Sequence, residues 1–222
     1  MLFSNTLGPS DIADVFMNKI KIEYVSSTRF LGVIIDDKLK FNIHINEISK
    51  KISKNTGVLY KLQQYVPQVT LLSVYRSLIE CYICYCILIF GNASPTHITP
   101  LVVAQKKAVR IVALQPPLSH TDPIFSTLKL LNIADHYKYN LGIYMWKNIA
   151  DFETYFRVNV HNTRSGDYYM PGRQRLTMNQ RQSIKHQALT NWESIPMLVK
   201  DSPSLTSFKK KYKNDLISSH FN

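Results

Sequence analysis

The sequence predicts a mainly α fold: a helical bundle with a small N-terminal β-hairpin and a basic, partly irregular C-terminal region. Three observations carry that expectation. Apolar residues recur at three, four and seven residues from His44 onward, Lys19–Asp37 alternates around a short polar break, and the stretch after Phe156 turns polar, turn-rich and basic.

At the front, Ile20, Ile22 and Tyr24 alternate with polar residues, Ser26-Ser27-Thr28 makes a polar break, and Phe30 to Ile35 forms a second arm. This predicts a hairpin whose second, continuously apolar arm is buried on both faces. Ile45, Ile48, Ile52, Leu59 and Leu62, with Lys50, Lys51, Lys54 and Lys61 among them, then predict an amphipathic helix with a basic outer face. Pro67 ends that segment, and Val69–Phe90 reads as one mostly buried helix closed by Gly91-Asn92.

Leu101, Val102, Gln105, Ala108, Val109 and Val112 give the next helix, with Lys106, Lys107 and Arg110 grouped on its other side and Pro116-Pro117 as its stop. Asp122-Pro123 reads as an N-cap followed by proline at the first helical position. The helix over Ala134–Ala150 carries Tyr137, Tyr139, Tyr144 and Trp146, which at helical spacing are expected in the core rather than as a base-stacking platform. Asn162 to Asp167 and Pro171 to Arg175 form a linker. Order resumes near Ser183 with Ala188, Leu189, Trp192 and Ile195, and a basic helix over Ser204–Ser218 closes the chain. The expected divisions are therefore a β element over 1–40, a helical bundle over 41–156, a basic linker over 157–182 and a small helical segment over 183–222.

Charge narrows the choice of partner. Lys and Arg number 27 against 15 Asp and Glu, a net charge of +12, which favours a polyanion over a merely solvated basic surface. From Arg157 to Asn222 there are eleven Lys or Arg and four acids, so the last third is an expected electrostatic contact surface. The three cysteines, Cys81, Cys84 and Cys86, are too few and too clustered for a disulfide framework and suit a reducing, intracellular compartment, nucleus or cytoplasm. No secretory signal is evident in Met1–Pro9. The apolar run Leu71–Phe90 contains Arg76 and Glu80, each costing roughly 2.5 kcal/mol or more at bilayer depth, so no membrane partner is expected.

The candidate chemistry is thin. Asp36-Asp37 resembles half of a two-metal site, but Asp11, Asp14 and Glu23 lack the strand context of a third ligand, and neighbouring strand residues point to opposite faces. A surface turn that ends a strand and precedes a helix is expected there. The cysteine cluster has no second ligand pair, so its members are expected as small apolar fillers on a buried helix. His120 with Ser119 or Asp122 comes without a nucleophile elbow, and capping by Asp122 accounts for that segment. No catalytic residue and no metal ligand is assigned.

Several segments point further. Phe30-Leu31-Gly32-Val33, Leu59-Tyr60-Lys61-Leu62 with Leu71 to Ile79, Tyr85-Cys86, Gln105-Lys106-Lys107-Ala108-Val109-Arg110-Ile111 and His120 to Phe125 occur in order. Asn162-Thr163-Arg164, Trp192 to Pro196 and Ser207 to Lys211 follow them. Together they resemble the C-terminal, thumb and post-thumb part of the reverse transcriptases of non-LTR (LINE-type) retrotransposons. The resemblance implies that the β element is the end of the palm with the primer-grip hairpin and that the bundle is thumb-like. It places the family's catalytic aspartates upstream of Phe30, so this chain alone is expected to be inactive as an RNA-directed DNA polymerase. It implies no cofactor in this chain, Mg²⁺ being expected only for the complete polymerase.

The same resemblance implies non-specific binding to RNA or an RNA–DNA primer-template. Phe30, Leu31 and Gly32 would hold the primer backbone, Gly32 allowing close approach. Lys50, Lys51, Lys54, Lys61, Lys106, Lys107 and Arg110 would track phosphates along a groove, with Arg173, Arg175, Arg181 and Lys185 as a second phosphate-contacting run. The alternatives are an interaction module that docks on the upstream polymerase portion, and a non-functional relic.

Overall fold

Two tight antiparallel hairpins begin the computed structural model, which describes residues 14–157, 168–169 and 183–219. Strand β1 (Phe16–Met17) pairs with β2 (Ile20–Lys21), and β3 (Ser27–Phe30) pairs with β4 (Val33–Asp36), with Phe30 opposite Val33 and Ser27 opposite Asp36. Both connections are two-residue turns at positive φ: Asn18 and Lys19 at 50° and 66°, Leu31 and Gly32 at 45° and 82°. Such turns match the right-handed twist of the strands they join. The expected hairpin is thus corrected in register. Its turn lies at Leu31-Gly32, where glycine takes positive φ freely, and Ser27-Thr28 belongs to a strand. The second arm is also less buried than expected: Val33 is in the core, Ile34 and Ile35 are half-buried, and Phe30 is exposed.

Asp36 is buried rather than part of a surface turn. Its carboxylate accepts the backbone N–H groups of Lys38 (3.2 Å), Lys40 (2.9 Å) and Phe41 (2.6 Å). These bonds hold the chain through Leu39 and Phe41, both at positive φ, into helix α1 (Asn42–Leu62), which has no side-chain cap of its own. A helix start leaves four N–H groups without intrahelical partners, so a carboxylate just upstream is a physical substitute for a cap. Ile45, Ile48, Ile52 and Leu59 are buried along α1 as expected, joined by His44 and Thr56.

The run expected as one helix over Val69–Phe90 is broken. It comprises α2 (Gln68–Tyr75), a π turn (Arg76–Glu80), α3 (Cys81–Cys84) and α4 (Ile87–Phe90). Its buried residues Leu71, Tyr75, Ile79, Ile83 and Ile87 are spaced by four. In an ideal α-helix each such step over-rotates by about 40°. The wider π turn absorbs part of that drift, and Cys86, at φ 55°, resets the direction before α4.

Helix α5 (Pro95–Val112) packs along α1, and α6 (Asp122–Thr127) packs against α5. Asp122 does not cap α6. It lies exposed in the first turn, the N-cap position is Thr121, and no side chain caps that end. Helix α7 (Ile133–Lys147) is capped by Asn132, whose side chain accepts the Asp135 N–H at 2.9 Å. A 3-10 segment (Ile149–Tyr155) follows, then β5 (Phe156–Arg157) paired antiparallel with β6 (Tyr168–Tyr169). Helices α8 (Ile184–Ser194), α9 (Met197–Lys200) and α10 (Leu205–Ser218) complete the described chain, Ser183 and Ser204 capping α8 and α10.

Helices α8 and α10 dock on α7, and one hydrophobic core runs from Val33 to Leu216. Asn191 and Tyr212 share a hydrogen bond, and the Asn191 amide also donates to the Lys138 carbonyl of α7 at 3.1 Å. Gly142 permits this approach, because a Cβ there would lie 2.5 Å from the Tyr212 ring. Tyr137 is buried and Tyr139, Tyr144 and Trp146 pack against the core, as their helical spacing predicts.

Candidate nucleic-acid interface

On α1, the 100° advance per residue places Lys50, Lys54 and Lys61 within about 40° of one another, opposite the buried isoleucines. All three are exposed, and among the described residues none is ion-paired. Gly57 lies on the same face with open space around it, leaving bare backbone between Lys54 and Lys61. Lys51 stands apart: its ammonium pairs with Glu47 at 2.8 Å and lies 5.6 Å from the centre of the Tyr82 ring. Glu47 also receives Arg29 of β3 at 2.6 Å, and these two cations hold its carboxyl below the usual range. Lys51 thereby joins a clamp between α1 and the hairpin.

On α5, Lys107 is exposed and Lys106 and Arg110 are half-buried, all on the face away from the core. Arg110 donates through Nε to the Ser119 carbonyl at 2.8 Å, pinning the loop that follows α5. Lys185 is exposed in the first turn of α8, on the part of the fold built around α7. Arg164, Arg173, Arg175 and Arg181 lie outside the described residues. Phe30 and Leu31 form the exposed hairpin tip with Gly32 in its turn.

A cavity of about 350 Å³ opens between the start of α2, the end of α5 and α6, lined by Gln68, Gln115, Ser119, His120, Ile124 and Leu128 among others. Because Gln68 follows the α1–α2 turn and Gln115 follows α5, helices α1 and α5 end at the same end of the bundle. Their last turns carry Lys61 and Arg110. Sequence spacing gives no sign of this cavity, since its polar lining comes from the start of α2, the loop after α5 and Thr127 of α6.

The cysteines are not interior fillers, as expected of a buried helix. Cys81 is exposed and Cys84 and Cys86 are half-buried, Cys86 at the edge of the core and packed against it. Cys84 Sγ lies 3.5 Å from His136 Nδ1, while His136 Nε2 faces Glu80 at 3.3 Å. This order superficially matches a nucleophile, base and acid. Burial pushes the Cys84 thiol up to about 12, which suppresses the thiolate that such chemistry needs. The sulfur and the carboxylate address opposite ring nitrogens, so they do not converge on one ion. Among the described residues no group of three His, Cys, Asp or Glu is placed to hold a metal, and no helix is long and apolar enough to cross a membrane.

The chain is similar to the RNA-directed DNA polymerase from mobile element jockey of Drosophila melanogaster, with 24% identity over 152 residues, 64% of this chain and 16% of that polymerase. It is also similar to the polymerase of the same name from Drosophila funebris, with 25% identity over 136 residues, 60% of this chain and 15% of that one. It is a distant relative of part of these reverse transcriptases. The matched segment spans about one sixth of their length. No protein-family model and no solved structure matches the chain.

Several of the segments singled out as motifs in the sequence meet in space. The Tyr85 hydroxyl donates to the Leu31 carbonyl. The Gln105 amide donates to the Tyr75 hydroxyl and the Leu131 carbonyl. The Trp192 and Phe208 rings lie 5.7 Å apart. Many of these motif residues therefore hold this fold together, while Lys106 and Lys107 beside Gln105 face outward.

Proposed function

We propose that the chain binds nucleic acid through the sugar-phosphate backbone, without reading sequence, as a thumb-like part of a non-LTR retrotransposon reverse transcriptase. The line of Lys50, Lys54 and Lys61 on the outer face of α1 carries this reading. Lysines held rigidly by a helix and free of carboxylate partners gain from releasing the counterions of a polyanion. Lys107 and the half-buried Lys106 add positive charge on α5 and Lys185 on α8, and the bare backbone at Gly57 lets a phosphate approach α1 closely. Phe30, Leu31 and Gly32 form an exposed tip suited to resting against a primer strand.

Binding to an RNA–DNA hybrid at low salt tests the proposal, and no measurable affinity there would refute it. A second reading, that the N-terminal hairpins dock on the upstream polymerase portion, is favoured by their exposed apolar residues. Phe30 and Leu31 are 61% and 74% exposed, and among the described residues neither hairpin pairs with a further strand. Co-expression with a polymerase segment that precedes this region in its relatives tests that reading: improved solubility supports it, and no association argues against it.

A further inference from the structure

We propose that the cavity between α2, α5 and α6 receives one unpaired base of the bound nucleic acid, an inference that rests on the function proposed above. At about 350 Å³ it falls within the range of small-ligand sites and is large enough for a base with its sugar. Its lining divides as base recognition requires. Ile124 and Leu128 offer apolar contact to a flat ring, and the residues Gln68, Gln115, Ser119 and His120 bring hydrogen-bonding groups to its edge. No carboxylate or ammonium lines the cavity, so nothing in it calls for a charged ligand end.

The surroundings fit a strand whose phosphates remain outside. Lys61 and Arg110 lie in the last turns of the two helices that end beside the cavity. Tyr65, three residues before Gln68, is 81% exposed, and Leu118, next to Ser119, is 93% exposed. Neither lines the cavity, but both flank its lining residues in sequence, and such exposed side chains are suited to closing over an inserted base. A Tyr ring can stack on any base, which makes the site tolerant of sequence. Arg110, by holding the Ser119 carbonyl, fixes one wall of the cavity.

A peptide side chain is the competing occupant, and base dependence separates the two. The probes are a labelled oligouridylate, whose bases neither pair nor stack strongly, and an abasic ribose-phosphate strand of equal length. The proposal expects the oligouridylate to bind about tenfold more tightly at the same salt, the scale of one stacked base. Thr127→Trp, on the exposed rim of α6, should remove that difference and leave the abasic affinity unchanged. Gln115→Ala, on the loop, should shrink it without disturbing folding, which serves if Thr127→Trp fails to fold by circular dichroism. Equal affinity for both strands, or a difference that survives both substitutions, overturns the base site while the phosphate-binding function stands. Binding of neither strand at low salt overturns both.

Discussion

The Tyr85 hydroxyl donates a hydrogen bond to the Leu31 carbonyl across 54 residues of sequence, tying the tip of the β3–β4 hairpin to the break between α3 and α4. That break makes the bond possible. Cys86 leaves the helical conformation at φ 55°, and the Tyr85 ring comes to lie beside Gly32, where a Cβ would stand 3.6 Å from it, an ordinary contact.

Tyr85→Phe is therefore expected to loosen the hairpin without unfolding the bundle. A single solvent-accessible hydrogen bond contributes about 1 kcal/mol or less. Hydrogen exchange should show faster exchange of β3 and β4 amides in the variant, while the core helices keep their protection. Unchanged exchange in the hairpin would show that the bond does not anchor it.

The Gln105-Lys106-Lys107 run should separate into a structural and a binding half. Gln105 is fully buried, and truncating it leaves the Tyr75 hydroxyl and the Leu131 carbonyl without their donor. Each such loss costs about 1–3 kcal/mol. Gln105→Ala should lower the unfolding free energy measured in urea by that scale, whereas Lys106→Gln with Lys107→Gln should move stability by no more than about 0.5 kcal/mol and weaken nucleic-acid binding. Equal effects of the two variants on stability would contradict this division.

Acid should destabilise the fold in two stages. Burial holds the His44 imidazole below its ordinary 6.5, and its Nδ1 accepts the Ile34 N–H. The unfolded chain takes up that proton first, so stability is complete above about pH 6.5 and declines as pH falls through the folded value. Burial opposes ionisation of Glu80, but the His136 ring, with Lys213 and Arg76, outweighs it and leaves the carboxyl below 4.5. Its contribution is complete above about pH 4.5 and is lost as pH falls further. His44→Asn, whose amide oxygen can accept from Ile34, should flatten the first stage in urea melts across pH and spare the second. A first stage unaltered by the substitution would assign it to another group.

Periodicity made the helices legible where one face is apolar and a polar residue marks the start. Helices α8 and α10 with their Ser183 and Ser204 caps belong to this class, and along α1, which starts without a side-chain cap, the isoleucine spacing alone marked the helix. It failed where the backbone does something that side chains do not announce. Leu31 in a left-handed turn sits inside an apolar run and reads as strand. The π turn at Arg76–Glu80 and the break at Cys86 involve neither Gly nor Pro. Asp36 looks like a turn residue until its three N–H partners are seen. The lysine face was legible because exposure follows from helix phase. The cavity was not, because Gln68 and Gln115 are brought together only by the packing of α2 on α5.

The central claim is tested most directly by the salt dependence of binding to an RNA–DNA hybrid, measured by fluorescence anisotropy for the wild-type chain and for Lys50→Gln, Lys54→Gln, Lys61→Gln combined. Each phosphate contact contributes about 0.9 to the log–log slope on duplex DNA, so the triple variant should bind more weakly at low salt with a slope shallower by about 2–3. A variant with the wild-type affinity and slope would contradict the claim that this face of α1 binds the nucleic-acid backbone.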